Sequence, residues 1–179
     1  IYPSGFSTSV AVEGPAKGLE TDMRPHFFAG VGLVVIKLLL QALPDVAIFG
    51  EKDYQQLLVI RRIVRDLDIP VEITGSPIIR EADGLAMSSR NAYLSADQRV
   101  IAGRLNPILR ALAEASDPPD IAEAKARNAL LEAGFSAVDY ACIRNAETLA
   151  APDAQTTKRR ALIAARLGDI RLIDNMDAR

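Results

Sequence analysis

The chain has 179 residues, of which 49% are hydrophobic and 25% charged, a balance typical of a globular protein with one domain or two small ones. The net charge of −2 argues against nucleic-acid binding, because binding to a phosphate backbone usually needs a clearly basic face. No apolar run approaches the ~20 residues that a membrane span requires, so we expect no membrane partner.

Two residue types occur once each and limit the available chemistry. Cys142 is the only cysteine, which excludes an internal disulfide and a cysteine-cluster metal site and favours a reducing, cytoplasmic compartment. His26 is the only histidine, so the chain by itself has no two-histidine metal or acid–base site. The first residue is Ile rather than Met, which indicates a partial or processed chain.

The first part of the chain alternates predicted strands and helices. The apolar alternation over Phe6–Val12 predicts one half-buried strand. A helix with one apolar face is predicted next, from Val31, Val34, Val35, Leu38, Leu39 and Ala42. Val46–Phe49 predicts a strand buried on both faces, Leu57–Leu67 a second helix, and Ile69–Ile73 a second strand. This order predicts an α/β fold with parallel strands.

The second part predicts helices followed by an antiparallel sheet. Ser95 and Gln98 form a capping-box pattern for a helix that reaches about Ala115. Asp120 and Glu123 repeat that pattern, and this helix should end near Gly134. Strands are predicted over 137–143, 160–165 and 170–174, with a tight turn at 168–169. We place the domain boundary near Ile79, with a small α+β unit after it.

The loop Arg80–Asn91 is rich in groups that can bind an anion. Ser88 and Ser89 supply hydroxyls, and Arg90 supplies a guanidinium that can hold a phosphate with two hydrogen bonds. Arg80 and Arg90 would set a positive field there, against which Glu81 and Asp83 could order the loop. An ordinary polar surface loop explains these residues about equally well.

A second polar stretch follows the strand predicted over Val46–Phe49, at the strand end where open parallel sheets bind ligands. Gly50 would allow a turn, and the N–H groups after it would face an anion. Lys52 adds a positive charge, Asp53 would cap the helix or accept a hydrogen bond from a ribose hydroxyl, and Gln56 shares the helix face of Lys52. The alternative is a solvated lysine beside a capping aspartate, and no P-loop pattern is present.

These two stretches resemble the long signatures of the pantothenate synthetase (pantoate–β-alanine ligase) family. The matching segments are Phe49-Gly-Glu-Lys-Asp-Tyr-Gln-Gln-Leu57 and Arg80-Glu-Ala-Asp-Gly-Leu-Ala-Met-Ser-Ser-Arg-Asn-Ala-Tyr-Leu94, and the opening Tyr2–Phe6 and the closing 164–175 are also similar. The resemblance implies a Rossmann-like, usually dimeric, adenylate-forming enzyme related to class I aminoacyl-tRNA synthetases. Such enzymes activate pantoate with Mg²⁺ and ATP, and β-alanine then displaces AMP.

The resemblance also implies roles for individual residues. The ATP-binding residues would be Gly50, Glu51, Lys52, Asp53, Ile79, Met87, Ser88, Ser89 and Arg90. Among these, Lys52, Ser88, Ser89 and Arg90 would be catalytic, while Gln56 and Arg24 would bind pantoate. No protein ligand to a metal is implied. Residues 1–78 would form part of a Rossmann-like nucleotide-binding domain, and residues 79–179 an α+β lid domain.

The chain departs from the family pattern in two places. It lacks the family's H-x-G-H motif, so it resembles only the later part of the enzyme, and we expect the 179 residues alone to be inactive. His26 stands one position early, and Phe27, which cannot donate a hydrogen bond, occupies the family's histidine position. The resemblance implies a homodimer that forms through residues 1–20. The alternative to a ligase is an inactive lid and dimerisation module, and another nucleotidyl transferase is disfavoured by the length of both signatures.

Four further features are interpreted as structural. Cys142 should be a buried, unreactive thiol. The basic run Lys158–Arg160 should be a solvated strand edge, and Asp139 and Asp174 should be charges on the surface of the sheet.

Overall fold

The computed structural model describes all 179 residues and divides them into two compact units, Ile1–Pro77 and Ile78–Arg179. The first unit contains a parallel two-stranded sheet and the second an antiparallel three-stranded sheet. This mixed architecture confirms the predicted fold class. None of the helices combines the length and the hydropathy of a membrane span.

The first unit is built from three helices and two parallel strands. They are α1 (Glu20–Met23), α2 (Phe27–Ala42), β1 (Val46–Gly50), α3 (Tyr54–Asp66) and β2 (Glu72–Ser76), with short 3₁₀ turns at Gly14–Ala16 and Glu51–Asp53. β1 and β2 pair in register from Val46 opposite Glu72 to Gly50 opposite Ser76. The predicted order of helix, strand, helix and strand is therefore confirmed.

The core of this unit lies between α2, α3 and the sheet. Val59 and Ile60 are fully buried, and Leu57, Ile63 and Val64 continue the same face of α3 at helical spacing. α2 ends where Leu43 adopts a left-handed conformation, with φ of 46°, and Pro44 follows it. The amphipathic pattern thus sets the buried face of α3, which is the helix that follows the candidate residues after β1.

Three sequence predictions for this unit are wrong. Phe6–Val12 is not a strand: it pairs with no other strand, and a methyl group on Gly32 of α2 would lie 3.6 Å from Val10 Cγ1, so the apolar side chains lie against a helix. β1 is not buried on both faces, since Ile48 is 69% exposed and Val46 is 47% exposed. On α2, Leu38 is 51% exposed and lies off the core.

The second unit packs three helices against a sheet. They are α4 (Ala96–Ala102), α5 (Leu105–Ala113) and α6 (Pro119–Glu132), and the strands are β3 (Ala137–Asn145), β4 (Arg159–Leu167) and β5 (Ile170–Ala178). All pairings are antiparallel and β4 is central. Leu105, Leu109, Leu130 and Ile163 are fully buried at the centre of this core. The three predicted strands and the turn at Gly168 are confirmed, although each strand is longer than predicted.

The helix ends of this unit agree only in part with the sequence. The capping box of Ser95 and Gln98 is present, but the helix after it is divided near Gly103 instead of running to Ala115. α6 starts at Pro119 without a side-chain cap. The predicted second capping box fails because Glu123 instead accepts hydrogen bonds from the Ile143 N–H and the Arg144 guanidinium.

Three charged positions predicted to be solvated are covered instead. Arg160 lies on the central strand, is 7% exposed and donates to Asn175 at 2.7 Å, so it is not a solvated edge. The Asp139 side chain is 4% exposed. Its burial raises the pKa, but hydrogen bonds from Arg171 and Arg166 outweigh that effect and hold the pKa below its ordinary value.

Asp174 is the third covered charge, and its side chain is fully buried. Cys142 is also buried, as predicted, and burial raises the pKa of its thiol to about 12.

Candidate functional site

The candidate residues fall into two groups, one in each unit. The first group follows β1 and consists of residues 50–53 and Gln56, together with Arg24 before α2. The second group consists of Ile79 and residues 87–90, all within the second unit.

The second group is carried by a small hairpin over residues 79–87. The Met87 N–H donates to the Ile79 carbonyl at 2.9 Å, and Arg80 and Ala86 form an antiparallel bridge. The turn of the hairpin closes with the Gly84 N–H donating to the Glu81 carbonyl, and Gly84 has a φ of +86°, which favours glycine. The structure therefore brings two predicted ATP-binding residues, Ile79 and Met87, into direct backbone contact.

Ion pairs and buried side chains anchor the hairpin within its own unit. Arg99 contacts both Glu81 and Asp83 at 2.7 Å, so these two acids hold the loop through Arg99 and not, as predicted, against Arg80 and Arg90. Arg80 does not supply a free positive field as predicted, because its guanidinium forms a double hydrogen bond to Asp174, at 2.6 and 3.0 Å. Leu85, which is 2% exposed, inserts into the core of the unit.

Beyond the hairpin, the chain presents two hydroxyls and one guanidinium. Ser88 caps a 3₁₀ turn over Ser89–Tyr93, and its Oγ accepts a hydrogen bond from the Arg90 N–H at 3.3 Å. Ser89 and Arg90 are exposed, and the Arg90 guanidinium forms no ion pair. The base of the loop is therefore fixed, while Ser89 and Arg90, which are predicted to bind phosphate, face solvent.

In the first unit, residues 51–53 form a 3₁₀ turn between β1 and α3. Gly50 has a φ of −68°, so the predicted turn role for this glycine is wrong. Asp53 occupies the N-cap position of α3 without a side-chain hydrogen bond, so it is not a side-chain cap. Lys52 is half-buried, and Glu51 lies across β2, where a methyl group on Gly75 would come within 2.9 Å of Glu51 Oε1.

Two adjacent glutamines on α3 have different environments. Gln56, the predicted pantoate ligand, is half-buried. Gln55 is 4% exposed, its Nε2 donates to the carbonyls of Pro15, Lys17 and Gly18, and its Oε1 accepts from the Glu20 N–H. Sequence reasoning missed Gln55, and the only signal for it was its position on the apolar side of α3.

Arg24 is already engaged by neighbouring groups. It forms an ion pair with Glu20, which is buried, and its guanidinium carbon lies 3.7 Å from the centre of the Phe27 ring. His26 is exposed at the N-cap of α2, and no hydrogen bond from its side chain caps the helix. Phe27 therefore supports Arg24 by a cation–π contact at the position where a hydrogen-bond donor was expected.

The acidic residues form no metal cage. No group of three or more His, Cys, Asp or Glu side chains is arranged to hold a metal ion.

Taken together, the fold and these two polar groups define an α/β protein with phosphate-binding potential after a parallel strand and on an anchored hairpin. The sequence profile of the Pantoate-beta-alanine ligase family matches residues 1–177. The chain therefore belongs to the pantoate-beta-alanine ligase family, which confirms the resemblance.

Curated and solved relatives agree with this assignment. The chain is 54% identical over 180 residues to a pantothenate synthetase of Mesorhizobium japonicum, covering 99% of this chain and 63% of the relative. The crystal structure of pantothenate synthetase from Thermus thermophilus has a TM-score of 0.84 at 45% identity, over 98% of this chain and 65% of that one.

A third relative was solved with ligands. It is the pantoate-beta-alanine ligase from Francisella tularensis complexed with beta-gamma ATP and beta-alanine. Its TM-score is 0.78 at 30% identity, over 98% of this chain and 60% of that one. The present chain thus spans somewhat less than two thirds of the length of the relatives that it matches.

Proposed function

We propose that this chain supplies residues of an ATP-dependent ligase that condenses pantoate with β-alanine. Pantothenate, AMP and pyrophosphate would be the products. The observation that carries the proposal is the anchored hairpin that presents Ser89 and Arg90 unpaired, in a chain whose family membership extends over residues 1–177. The Francisella relative, solved with an ATP compound and β-alanine, supports the same substrates for this chain.

The proposed reaction has two steps. A carboxylate oxygen of pantoate attacks the α-phosphorus of ATP, the bond to the β-phosphate breaks, and pyrophosphate leaves with both bonding electrons. The amine of β-alanine then attacks the acyl carbon of pantoyl adenylate, an amide bond forms, AMP leaves, and the amine loses a proton to solvent. The first step needs charge neutralisation and alignment more than a general base.

We assign these tasks to the predicted residues. Lys52 and Arg90 would neutralise charge that develops on the phosphates, while Ser88 and Ser89 would donate hydrogen bonds to phosphate oxygens. Gly50, Glu51, Asp53, Ile79 and Met87 would complete the ATP contacts, with the Ile79 backbone facing adenine. Mg²⁺ bound to ATP would screen the remaining negative charge.

The pantoate assignments differ in their support. Gln56 lies in the first turn of α3, shortly after Lys52, and is half-buried, which fits a side chain that closes over a small substrate. The Arg24 guanidinium is shared with Glu20 and Phe27, so we propose that it binds pantoate only in part through its exposed edge.

We further propose that residues 1–78 bind the nucleotide and that residues 79–179 act as a lid. The protein would be cytoplasmic and would form a homodimer through residues 1–20. The competing proposal is an inactive lid and dimerisation module, and the two proposals differ in whether another segment or another chain supplies the H-x-G-H motif.

A chimera tests the ligase proposal against the module. It joins the part of the Mesorhizobium relative that this chain does not match to the 179 residues. We expect the chimera to form pantothenate and AMP in equal amounts from ATP, pantoate and β-alanine, whereas the 179 residues alone form neither. A folded chimera that makes no pantothenate would favour the module.

A further inference from the structure

The buried carboxylate of Asp174 has one side-chain partner outside its own strand, and that partner, Arg80, lies on the candidate loop. Both carboxylate oxygens accept hydrogen bonds from Arg80, 94 residues earlier in the chain. The remaining contact is with the N–H of the adjacent Asn175, at 2.8 Å. The Asp174 side chain is fully buried, whereas that of Arg80 is 26% exposed.

Arg80 connects this carboxylate to the turn of the hairpin. Besides contacting Asp174, its NH1 group donates to the Gly84 carbonyl at 3.0 Å. A planar guanidinium that makes all three bonds has little rotational freedom, because two parallel bonds to one carboxylate fix its plane. Arg80 thereby connects both the first arm of the hairpin and its turn to β5.

The hairpin in turn sets the direction in which the chain leaves it. The Ile79 carbonyl accepts from the Met87 N–H, and Ser88, Ser89 and Arg90 follow at once. A rotation of the hairpin on the sheet would therefore move the exposed hydroxyls and the Arg90 guanidinium together. Misplacement by about 1 Å is enough to cost on the order of 100-fold in a reaction that depends on alignment.

Stability alone is a weak explanation for this ion pair. Replacing a buried ion pair by apolar groups of similar size is often neutral or stabilising, whereas removing one partner leaves a costly unpaired charge. The ion pair of Arg80 and Asp174 is accordingly better explained by a role in orienting the hairpin. That role requires both charges to be present.

We propose that Asp174 is a positioning residue that acts through Arg80 to hold Met87–Arg90 in the orientation that receives the ATP phosphates. The orientation itself follows from contacts within the second unit, while the phosphate role rests on the proposed function. Asp174 does not touch substrate in this proposal, and its effect is carried entirely by the hairpin.

Three variants separate positioning from stability. Asp174→Asn and Arg80→Met each break the pair, and the double variant removes both charges, so that no unpaired charge is left buried. Asp177→Asn is the matched control, because Asp177 lies on the same strand, is exposed and contacts Arg160 instead of the loop.

Hydrogen exchange of the 179-residue chain is the first readout. In Asp174→Asn we expect the Met87 and Arg90 amides to exchange at least about tenfold faster, while the amides of central strand β4 stay protected. The double variant should recover most of the thermal stability of the parent and still show fast exchange in the loop. Asp177→Asn should leave loop exchange unchanged.

Pantoate-dependent pyrophosphate exchange by the chimera is the second readout. Both single variants and the double variant should lower its rate at saturating ATP by about tenfold or more, because the loop is misdirected in all three. The proposal would be overturned if the loop amides of the double variant exchanged as slowly as those of the parent. It would also be overturned if exchange in β4 accelerated as much as exchange in the loop. A parent chimera without pyrophosphate exchange would contradict the proposed function, and the hydrogen-exchange result would still decide the positioning role.

Discussion

Gln55 and Gln56 allow stability and substrate binding to be separated at adjacent positions of one helix. Gln55 is buried and satisfies three backbone carbonyls and one N–H of the segment from Pro15 to Glu20. Gln55→Ala would remove this partner from all four groups, of which the Gly18 carbonyl keeps a second hydrogen bond, from the Thr21 N–H. Each unsatisfied buried group costs about 1–3 kcal/mol, but the three carbonyls share one NH₂ group and truncation admits water, so we expect a loss of about 3 kcal/mol.

The measurement is a urea titration in which hydrogen exchange of the α3 amides reports unfolding of the first unit alone. With a urea m-value of about 1–3 kcal/mol/M, a loss of about 3 kcal/mol should lower the midpoint by about 1–3 M. Gln55→Glu should be at least as destabilising, because a second anionic oxygen then faces the three carbonyls that the NH₂ group had satisfied.

Gln56→Ala is the matched control. Gln56 is only half-buried, so its truncation should change the free energy of unfolding by less than about 0.5 kcal/mol. In the chimera it should instead raise the KM for pantoate. A Gln55→Ala midpoint within about 0.3 M of the parent, or equal destabilisation by Gln56→Ala, would refute a stabilising role specific to Gln55.

Three further predictions concern charge, pH and association. In the chimera, Lys52→Ala should slow single-turnover adenylate formation by roughly 100-fold, whereas Lys158→Ala, which removes an exposed cation, should not slow it. Equal adenylation rates in the two variants would remove Lys52 from the mechanism. Burial raises the pKa of the Cys142 thiol from 9.0 to about 12, so its contribution to stability should be complete below pH 9.0 and decline as the pH rises towards 12. A Cys142→Ala chain whose stability shows the same alkaline decline would contradict this. Light scattering should show a dimer that Ser9→Lys with Ala11→Lys dissociates, because both positions are exposed in the segment proposed as the interface. A parent that is monomeric at micromolar concentration would contradict the homodimer, and a double variant that stays dimeric would place the interface elsewhere.

The sequence predicted those elements whose pattern is local. Helix α3 follows from an apolar face at helical spacing, and the turn between β4 and β5 follows from Gly168 between two strand-like runs. The same kind of pattern misled at Phe6–Val12, because alternating apolar residues can lie against a helix as well as in a sheet.

The candidate site was predicted by its motifs, but the support beneath it was not. Asp174 resembles a surface charge when only its own strand is considered, because its partner Arg80 is 94 residues away. Gln55 could not be distinguished from Gln56 by residue type, and its position on the apolar side of α3 did not reveal its hydrogen bonds to the segment from Pro15 to Glu20. Long-range polar contacts of this kind depend on the packed structure and leave no periodic signal in the sequence.

In the proposed mechanism, Arg90 and its neighbouring hydroxyls act on the phosphates of ATP in the adenylation step. Pantoate-dependent exchange of labelled pyrophosphate into ATP, measured in the chimera without β-alanine, tests it directly because that exchange requires only the first step. We expect Arg90→Ala to reduce the exchange rate by about 100-fold, while Arg159→Ala, at an arginine outside both candidate groups, leaves the rate within about twofold of the parent. An Arg90→Ala chimera that exchanges pyrophosphate at the parental rate would contradict the account.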